Sequence, residues 1–304
     1  MNEDVYNRFK NYSGSHCWQY EVRKSRFRED LERMHMSSSM VAAFRPREFD
    51  IENVSKSDKE RCDEVKRFIE TYEWLGKMPA RPTHRFLATF GDHIGGALVM
   101  ATPNTFSNLL GKENRDMEKL ISRGACAAWT PKGLGSRLIM GSIKWMTKNT
   151  DFRIFTAYSD PEAKELGTIY QACNFIYLGQ TSGTSKQYFD PCHPERGWFS
   201  DRNFRHKSKY YMYADNIGVG RQQFKKWMKK YSPDWTLVPE QVRIDIKKEE
   251  KRYRQSCLSR ETKPKHKYAY ILGSTKAETK KLRRQFKELN PHLANLPYPK
   301  QRGT

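Results

Sequence analysis

Apolar residues in the first part of the chain recur at spacings that predict helices followed by a β-hairpin. Within residues 57–72 they lie three and four positions apart, which places them on one helix face, and Ser57 stands where the N-cap is expected. The charged stretch 18–35 is also typical of a helix. Two apolar runs, 84–90 and 94–101, are separated by Gly-Asp-His, and a short connection between such runs predicts a hairpin.

From residue 120 onward the pattern alternates between strands and helices. The predicted elements are a strand over 120–129, a glycine-bearing turn over 130–136, a helix over 136–148, a strand over 152–160 and a helix over 161–175. Pro161 fits the first position of the last helix, where its missing N–H does no harm. The runs FIYLGQT and KQYFD predict closing strands. This order predicts an α/β fold built on a mixed sheet.

Beyond about residue 200 the pattern changes and the chain becomes strongly basic. GVGRQQFKKWMKKYS and KAETKKLRRQFKELN predict two basic helices, with a short strand in KHKYAYILG between them. The proline-containing end is expected to be extended. The pattern therefore predicts three parts: a helical extension over 1–56, an α/β domain over 57–215 and a basic helical extension over 216–304.

Charge is distributed unevenly along the chain. There are 56 Lys and Arg against 35 Asp and Glu, which gives a net charge of +21 at pH 7. Residues 1–180 hold 27 basic against 23 acidic residues, a net of +4, whereas residues 181–304 hold 29 against 12, a net of +17. Such an asymmetry indicates a polyanionic partner such as nucleic acid. The alternative is a basic surface that serves only solvation.

Composition also argues against several classes of protein. Hydrophobic residues make up 37% of the chain, enough for a core, so a wholly disordered protein is not expected. There is no run of about 18 apolar residues and no apolar segment near the N-terminus, which predicts no membrane partner and a location in the cytoplasm. No metal site is predicted, since the pairs His16-Cys17 and Cys192-His193 are contiguous rather than spaced like zinc ligands.

The turn between the strand over 120–129 and the next helix carries two glycines, Gly133 and Gly135. Without Cβ atoms the backbone can approach a ligand closely, and the helix N-terminus presents unpaired N–H groups to an anion. That arrangement suits a pyrophosphate. The dinucleotide pattern GxGxxG and the P-loop are both absent, and the alternative is a tight strand–helix turn without a ligand.

This turn and the segment after it resemble the GNAT superfamily of acyl-CoA N-acyltransferases. Residues 130–135, TPKGLG, resemble its pyrophosphate loop, with Thr130 in place of the usual Arg or Gln. Residues 167–179, GTIYQACNFIYLG, resemble its helix-to-strand segment, in which Tyr170 takes the place of the general acid to the leaving thiolate; the alternative is that this tyrosine merely packs. The resemblance implies a GNAT-like fold with acyl-CoA (acetyl-CoA) as cofactor, bound by Thr130, Lys132, Gly133, Leu134, Gly135, Ser136 and Arg137.

A closer resemblance is to the Mom family of phage proteins that modify adenine in DNA. It rests on YEWLG at 72–76, RGACAAWTPKGLGSRLI at 123–139 and AYSDPEAKELGTIYQACNFIYLG at 157–179. It implies a DNA-modifying transferase that converts adenine to N6-carbamoylmethyladenine and so protects phage DNA from restriction in the host cytoplasm. It makes 57–215 the catalytic domain and 216–304 a DNA-contacting extension. No residue identifies the donor of the amide nitrogen, and no obligate protein partner is evident.

The Mom resemblance assigns catalytic roles to four residues. Asp160 and Tyr170 match family positions implicated in activity, and Ser136 matches a third. Glu73 is added because the run around it stands nearest to a His-Tyr pair of the founding member. Asp160, at the end of a strand, is interpreted as the base that takes a proton from N6, and its alternative role is a helix N-cap.

An enzyme that acts on adenine must extrude the base from a duplex or take unpaired DNA. Tyr72, Trp74 and Trp129 are therefore candidates to stack on the base, and core packing is the ordinary alternative for such aromatic residues. Tyr158 is a further candidate for contact with the substrate. Basic residues would hold the phosphates, which position DNA without reading its sequence. The candidates are Lys225, Lys226, Lys229, Lys230, Arg283 and Arg284.

Two other functions remain open at this point. A GNAT N-acetyltransferase that acts on a protein or on a small-molecule amine explains the glycine turn and Tyr170, but not the basic second half. A non-enzymatic DNA-binding phage protein with a degenerate GNAT core explains the basic half, and Thr130 in the glycine turn favours it slightly.

Overall fold

The computed structural model describes residue 9 and residues 12–181 and 185–300, and these form two compact units. The core unit consists of residues 14–182 and 264–304, and the inserted unit consists of residues 183–263 together with those before residue 14. The chain therefore leaves the core unit and returns to it near its end. The boundaries differ from those expected at 56/57 and 215/216.

The core unit is built on a mixed sheet of seven strands in the order β1-β2-β3-β4-β5-β10-β6. Within it β4 and β5 are parallel, and every other neighbouring pair is antiparallel. The predicted mixed α/β class is confirmed. The strands are β1 Asp50–Val54, β2 Pro82–Phe90, β3 His93–Ala101, β4 Glu118–Cys126, β5 Ile154–Ser159, β6 Ile176–Gln180 and β10 His266–Ile271.

Helices of the core unit follow the predicted order, with local differences. The charged stretch 18–35 forms two short helices rather than one, and Asp58 rather than Ser57 caps the next, its carboxylate accepting a hydrogen bond from the Arg61 N–H at 3.0 Å. The helices are α1 Trp18–Ser25, α2 Phe27–Met34, α3 Ser38–Ala42, α4 Lys59–Tyr72, α5 Leu134–Asn149, α6 Thr168–Ala172 and α10 Lys276–Leu289.

Aromatic side chains fill the space between the sheet and the helices. Phe49, Phe86 and Phe155 are fully buried, and Trp129 is 2% exposed, all in one cluster with the apolar faces of α4 and α5. Burying each such side chain contributes on the order of 2 kcal/mol to folding. This cluster fixes the ends of β4 and β5 relative to the helix that follows each of them.

The strand that completes the sheet is β10, not the predicted KQYFD strand. β10 lies between β5 and β6, and its register pairs His266 with both Ser159 and Gln180. Behind it, α10 buries Leu282 and Phe286. The predicted extension over 216–304 is therefore not one appendage, because its last part completes the core.

The inserted unit has its own small sheet and its own core. The sheet order is β8-β7-β9, and the core includes Tyr213 and Phe224, both fully buried. The basic helix predicted from residue 218 ends early, at Lys225, and the long helix α9 was not predicted. The elements are β7 Ser185–Phe189, β8 Phe199–Ser200, α7 Lys207–Asn216, α8 Arg221–Lys225, α9 Glu240–Ser256 and β9 Leu258–Thr262.

The point of insertion yields a test by deletion. Thr181 N–H donates to the Lys265 carbonyl at 2.8 Å, and the Lys265 N–H donates to Thr181 Oγ1 at 3.0 Å, so β6 and β10 already form the two arms of a hairpin. Replacing residues 183–263 by a short Gly-Ser turn is expected to leave the core unit folded. Ending the chain after residue 263 is expected to prevent folding, because β5 and β6 lose the strand between them.

Circular dichroism and thermal melting of the two shortened chains check this expectation. A cooperative melt of the chain that ends at 263, together with an unfolded internal deletion, would contradict the assignment of β10 to the core unit.

Candidate active site

The candidate site lies where β4 and β5 part. Their parallel pairing runs from Glu118 with Ile154 to Ile121 with Ala157 and stops there, although both strands continue. Each strand keeps its outer neighbour, so the end of β4 still pairs with β3 and the end of β5 with β10. The two strand ends therefore open a fork in the middle of the sheet.

A β-bulge marks the start of the fork. In the register of β3 with β4, Val99 pairs with Arg123 and Met100 with Ile121, so Ser122 is an extra residue on β4. A bulge bends its strand and redirects the side chains that follow. Arg123, immediately after it, donates from Nε to the Lys77 carbonyl at 2.9 Å and lies 4.0 Å from Glu73 Oε2.

On the β4 arm of the fork, the glycine turn leads into α5. Gly133 has φ +96°, a left-handed conformation that favours glycine, and it precedes α5 without any side-chain cap. The backbone N–H groups of Lys132, Gly133, Gly135 and Ser136 have no acceptor within the described residues. With the exposed side chains of Lys132 and Arg137 nearby, this turn has the donors and the charge to hold a pyrophosphate.

Two residues expected to bind the cofactor already have hydrogen-bond partners within the protein. Thr130 is 8% exposed, and its hydroxyl donates to the Ala127 carbonyl at 2.8 Å. Leu134 is buried in the core, and its N–H donates to the Pro131 carbonyl at 3.2 Å. Both therefore shape the turn instead of contacting a ligand.

On the β5 arm, the predicted helix over 161–175 is interrupted. A 3-10 turn over Pro161–Ala163 is followed by α6, and Lys164 and Gly167 between them have positive φ. A Cβ on Gly167 would lie 2.5 Å from the ring of Tyr268, so only glycine fits at this position. The chain folds back here, and the Glu165 carboxylate accepts a hydrogen bond from the Asp160 N–H at 3.1 Å.

Two carboxyl groups with raised pKa values meet in the fork. Burial raises the pKa of Glu73 to about 7, although the positive charge of Arg123 opposes the shift. Burial also raises the pKa of Glu165 to about 8, and the negative charge of Glu73 adds to this rise. A negative charge opposes ionisation of a like group nearby, so Glu73 helps keep Glu165 protonated near neutral pH.

Asp160 is placed in the site, but both of its carboxylate oxygens are occupied. Oδ1 accepts a hydrogen bond from the Glu162 N–H at 3.0 Å, which is the N-cap role expected as the alternative, and Oδ2 lies 2.7 Å from Lys265 Nζ. Asp160 therefore holds Lys265 close to Glu165, whose pKa that lysine lowers. Its geometry suits a positioning residue better than a base.

Tyr170 stands between these groups. Its ring packs against Phe175 and Tyr268, with centroids 5.3 and 5.4 Å away, and its hydroxyl makes no hydrogen bond within the described residues. Burial, followed by the charges of Glu165 and Glu73, raises the pKa of the phenol far above its ordinary value. The hydroxyl therefore stays protonated at working pH and is available to a bound group.

Three of the aromatic residues proposed for base stacking are buried. Tyr72 is 4% exposed and its hydroxyl donates to Asp30, Trp74 packs edge-on against Trp18, and Trp129 lies in the core. None of them offers a free face, so core packing is correct for all three. Tyr158, half-buried at the β5 end of the fork with Lys267 Nζ 5.8 Å from its ring centroid, keeps its candidacy.

Basic candidates are divided between the two units. Arg283 and Arg284 lie on α10 of the core unit, where Arg283 donates to the Ile271 carbonyl at 3.2 Å and Arg284 is exposed. The four lysines lie in the inserted unit, and all are exposed. Residues 183–263 hold 19 basic against 10 acidic residues, a net of +9, and residues 264–304 hold 10 against 2, a net of +8.

Glu165, Lys265 and Arg123 were missed at the level of sequence. Glu165 lies within residues 157–179, which resemble the Mom family. The predicted helix over 161–175, however, did not place its carboxylate in a site. Lys265 lies next to His266 at the start of β10, and only the pairing of β10 with β5 brings it to Asp160. No local spacing signals either contact.

Comparison with known proteins identifies a family. The model of the Mom protein family matches residues 62–300 of the chain. No curated protein matches the chain. Among the described residues, no helix is long and apolar enough to cross a membrane, and no group of three or more His, Cys, Asp or Glu side chains is placed to hold a metal ion.

Solved structures of acetyltransferases are similar to parts of the chain. The ribosomal-protein-S5-alanine acetyltransferase from Vibrio fischeri is 16% identical with a TM-score of 0.26, over 32% of this chain and 50% of that one. An acetyltransferase from Bacillus subtilis in complex with CoA is 12% identical with a TM-score of 0.33, over 74% and 99%. A GNAT family acetyltransferase from Elizabethkingia anophelis with acetyl-CoA bound is 11% identical with a TM-score of 0.31, over 74% and 99%.

The glycine turn gives a prediction about stability. Gly133→Ala forces an alanine to φ +96° and is expected to cost about 1–2 kcal/mol, or roughly 2–6 °C in Tm. Gly135→Ala brings its Cβ only against the tip of the Ile169 side chain, 2.7 Å away, and that tip can move. Gly135→Ala is therefore expected to cost less, and thermal melting of both variants measures the difference. The reverse order would contradict the conformation assigned to Gly133.

The raised pKa of Glu165 predicts a pH dependence of stability. Because its pKa is about 8 in the folded chain and near 4.5 when unfolded, the folded chain binds more protons between these values and loses stability as pH rises through them. Glu165→Gln is expected to equal the wild type near pH 4.5 and to be more stable by roughly 1–3 kcal/mol at pH 9, after discounting for partial exposure. Denaturant unfolding at both pH values tests this, and an equal difference at both would contradict it.

Proposed function

Since the chain belongs to the Mom protein family, we propose that it is a transferase that modifies adenine in DNA at N6, with a GNAT-type site for an acyl-CoA donor. The product we propose is N6-carbamoylmethyladenine, and its role is protection of phage DNA from restriction in the host cytoplasm. The observation that carries the proposal is the fork between β4 and β5, which brings Glu73, Glu165 and Tyr170 together beside a pyrophosphate-type turn.

The residues on the β4 arm fit the pyrophosphate of a CoA-type donor. Four backbone N–H groups at the start of α5 lack acceptors within the described residues, and Gly133 takes a conformation that leaves the turn open. Lys132 and Arg137 are exposed on the same turn and supply positive charge. When bound, the donor would supply an acyl group activated by its thioester, and transfer of that group to N6 would release the CoA thiol and give an amide. The N-alkyl group of N6-carbamoylmethyladenine therefore requires a donor activated at its α-carbon or a further step that supplies the amide nitrogen.

The Glu73–Glu165 pair supplies the base in this proposal. A base works best when its pKa lies near the operating pH, and the pair titrates at about 7 and 8. Near neutral pH the pair is partly ionised, and although Oε2 of each group accepts a backbone N–H, its Oε1 can accept the proton lost from N6 as the new bond to nitrogen forms. Asp160, proposed as the base from sequence, instead positions Lys265 against this pair.

Tyr170 supplies the acid. Its protonated hydroxyl has no partner within the described residues, so it can donate to a leaving thiolate without first breaking a hydrogen bond. Ser136 belongs to the turn, where its N–H faces an anion; its carbonyl accepts a contact from Cys173 Sγ at 3.8 Å. Its role is therefore binding in this proposal.

DNA is the substrate that the charge distribution favours. Both residues 183–263 and residues 264–304 carry a net positive charge, so phosphates find cations in each of the two units. A small-molecule amine carries no phosphate backbone, so an acetyltransferase that acts on one does not require this excess of positive charge. Exposed Lys225, Lys226 and Lys230 and the exposed face of α10 are the groups proposed to hold the backbone.

Mass analysis of nucleosides tests this function directly. DNA from cells that express the chain is expected to contain a modified adenosine, which Tyr170→Phe removes because the acid is lost. Tyr270→Phe is the matched control, since this tyrosine also lies beside Phe175 but outside the fork, and it is expected to retain modification. Unmodified DNA from the wild type, or full modification by Tyr170→Phe, would contradict the proposal.

The carboxyl pair predicts the pH profile of the reaction. Activity is expected to rise with pH through about 7 to 8 as the two carboxyl groups ionise. Glu73→Gln removes the negative charge that raises the pKa of Glu165, so the rise in residual activity is expected to move to lower pH. Single-turnover rates between pH 5.5 and 9 measure the shift, and an unmoved profile would exclude the pair as the base.

A further inference from the structure

A hairpin-like turn follows α8 in the inserted unit. The Lys229 N–H donates to the Ser232 carbonyl at 2.9 Å, Met228 and Pro233 form an antiparallel bridge, and the Asp234 N–H donates to the Trp227 carbonyl at 2.7 Å. These bonds close the chain on itself and leave Lys230 and Tyr231 at the tip.

The base of this turn is anchored in the core of the inserted unit. Phe224 is fully buried, Trp227 packs edge-on against it with centroids 5.8 Å apart, and Met228 and Trp235 join the same cluster. At the base, Lys229 Nζ lies 2.9 Å from Asp234 Oδ2, whose carboxylate also accepts the Thr236 hydroxyl at 2.7 Å. The base of the turn, which is packed and hydrogen-bonded, therefore supports the tip.

The tip exposes an aromatic ring to solvent. Tyr231 is 71% exposed, the largest value among the exposed large hydrophobic side chains of the described residues. Lys230 Nζ lies 5.2 Å from the centroid of its ring. An aromatic ring kept in water on an anchored turn loses little further freedom when a flat partner stacks on it.

Charges around the tip favour a polyanion. Lys225, Lys226 and Lys230 are exposed and form no ion pair within the described residues, whereas Asp215 and Asp245 of the same unit are paired with Arg221 and Lys248. Lys230 thus lies beside Tyr231, Lys225 and Lys226 precede the base of the same turn, and the charge of all three is not neutralised by an ion pair among the described residues. Stacking rings with unpaired lysines is the arrangement that holds nucleic acid through both bases and phosphates.

We propose that this tip is a DNA contact in which Tyr231 stacks on an unpaired or extruded base while Lys225, Lys226 and Lys230 contact phosphates. The proposal rests on DNA being the substrate, as argued above, and adds the site that holds it. It places a base-stacking residue in the inserted unit, whereas the sequence pointed to Tyr72 and Trp74, which are buried.

Binding of the full chain to two single-stranded oligonucleotides tests the contact, one with bases and one with abasic sites at every position. Tyr231→Ala is expected to weaken binding to the first about tenfold and to leave binding to the second unchanged, because stacking needs a base. Tyr231→Phe is expected to bind like the wild type. Leu237→Ala is the matched control, since Leu237 is 60% exposed in the same unit, and no change is expected.

The salt dependence of oligonucleotide binding distinguishes the contribution of the three lysines from that of Tyr231. Replacing Lys225, Lys226 and Lys230 together by Ala is expected to reduce the slope of log K against log salt by up to about 2, at roughly 0.7 per phosphate on a single strand. Tyr231→Ala is expected to leave that slope unchanged. If Tyr231→Ala lowers the affinity for both oligonucleotides equally, or for neither, the stacking contact is overturned. A wild type that binds neither oligonucleotide would overturn the DNA function first.

Discussion

The parting of β4 and β5 is the constraint on which the candidate site depends. Parallel strands that stay paired leave no room between them, whereas here pairing ends at Ile121 and Ala157 while the outer neighbours keep both strands extended. The bulge at Ser122 turns one strand, and β10 holds the other. The glycine turn at the end of β4 and the carboxylates after β5 thereby face a common opening that neither strand creates alone.

Holding two carboxyl groups in that opening has an energetic cost that the fold only partly offsets. Arg123 and Lys265 both lower the pKa of Glu73, yet burial outweighs them and leaves its pKa at about 7. A buried group with a perturbed pKa next to a like charge weakens the folded chain at high pH. Clusters of this kind are more typical of catalysis than of structure, because structural carboxylates are usually paired fully.

The sequence predicts the local elements well and the long-range contacts poorly. Periodicity gives the hairpin of β2 and β3 and the helix α5, since each depends on neighbouring residues. It misses that β10 closes the sheet across the inserted unit, a pairing of Ser159 with His266 that no local pattern specifies. Tyr72 shows the same limit: its motif suggested a ligand contact, but its hydroxyl donates a hydrogen bond to Asp30, which holds the side chain in the core. Glu165 lies in the stretch where the predicted helix is interrupted, between the positive-φ residues Lys164 and Gly167.

Electrostatics connects the carboxyl pair to the polyanionic substrate that we propose. Phosphates are repelled by ionised carboxylates, so a site with Glu73, Glu165 and Asp160 all charged would oppose the approach of DNA. Asp160 is neutralised by Lys265 at 2.7 Å, and the raised pKa values keep the other two partly protonated near neutral pH. The fork is therefore nearly neutral near neutral pH, and the net positive charges of residues 183–263 and 264–304 would attract a polyanion. In the proposed function, an ionised oxygen of the pair then accepts the proton that N6 loses.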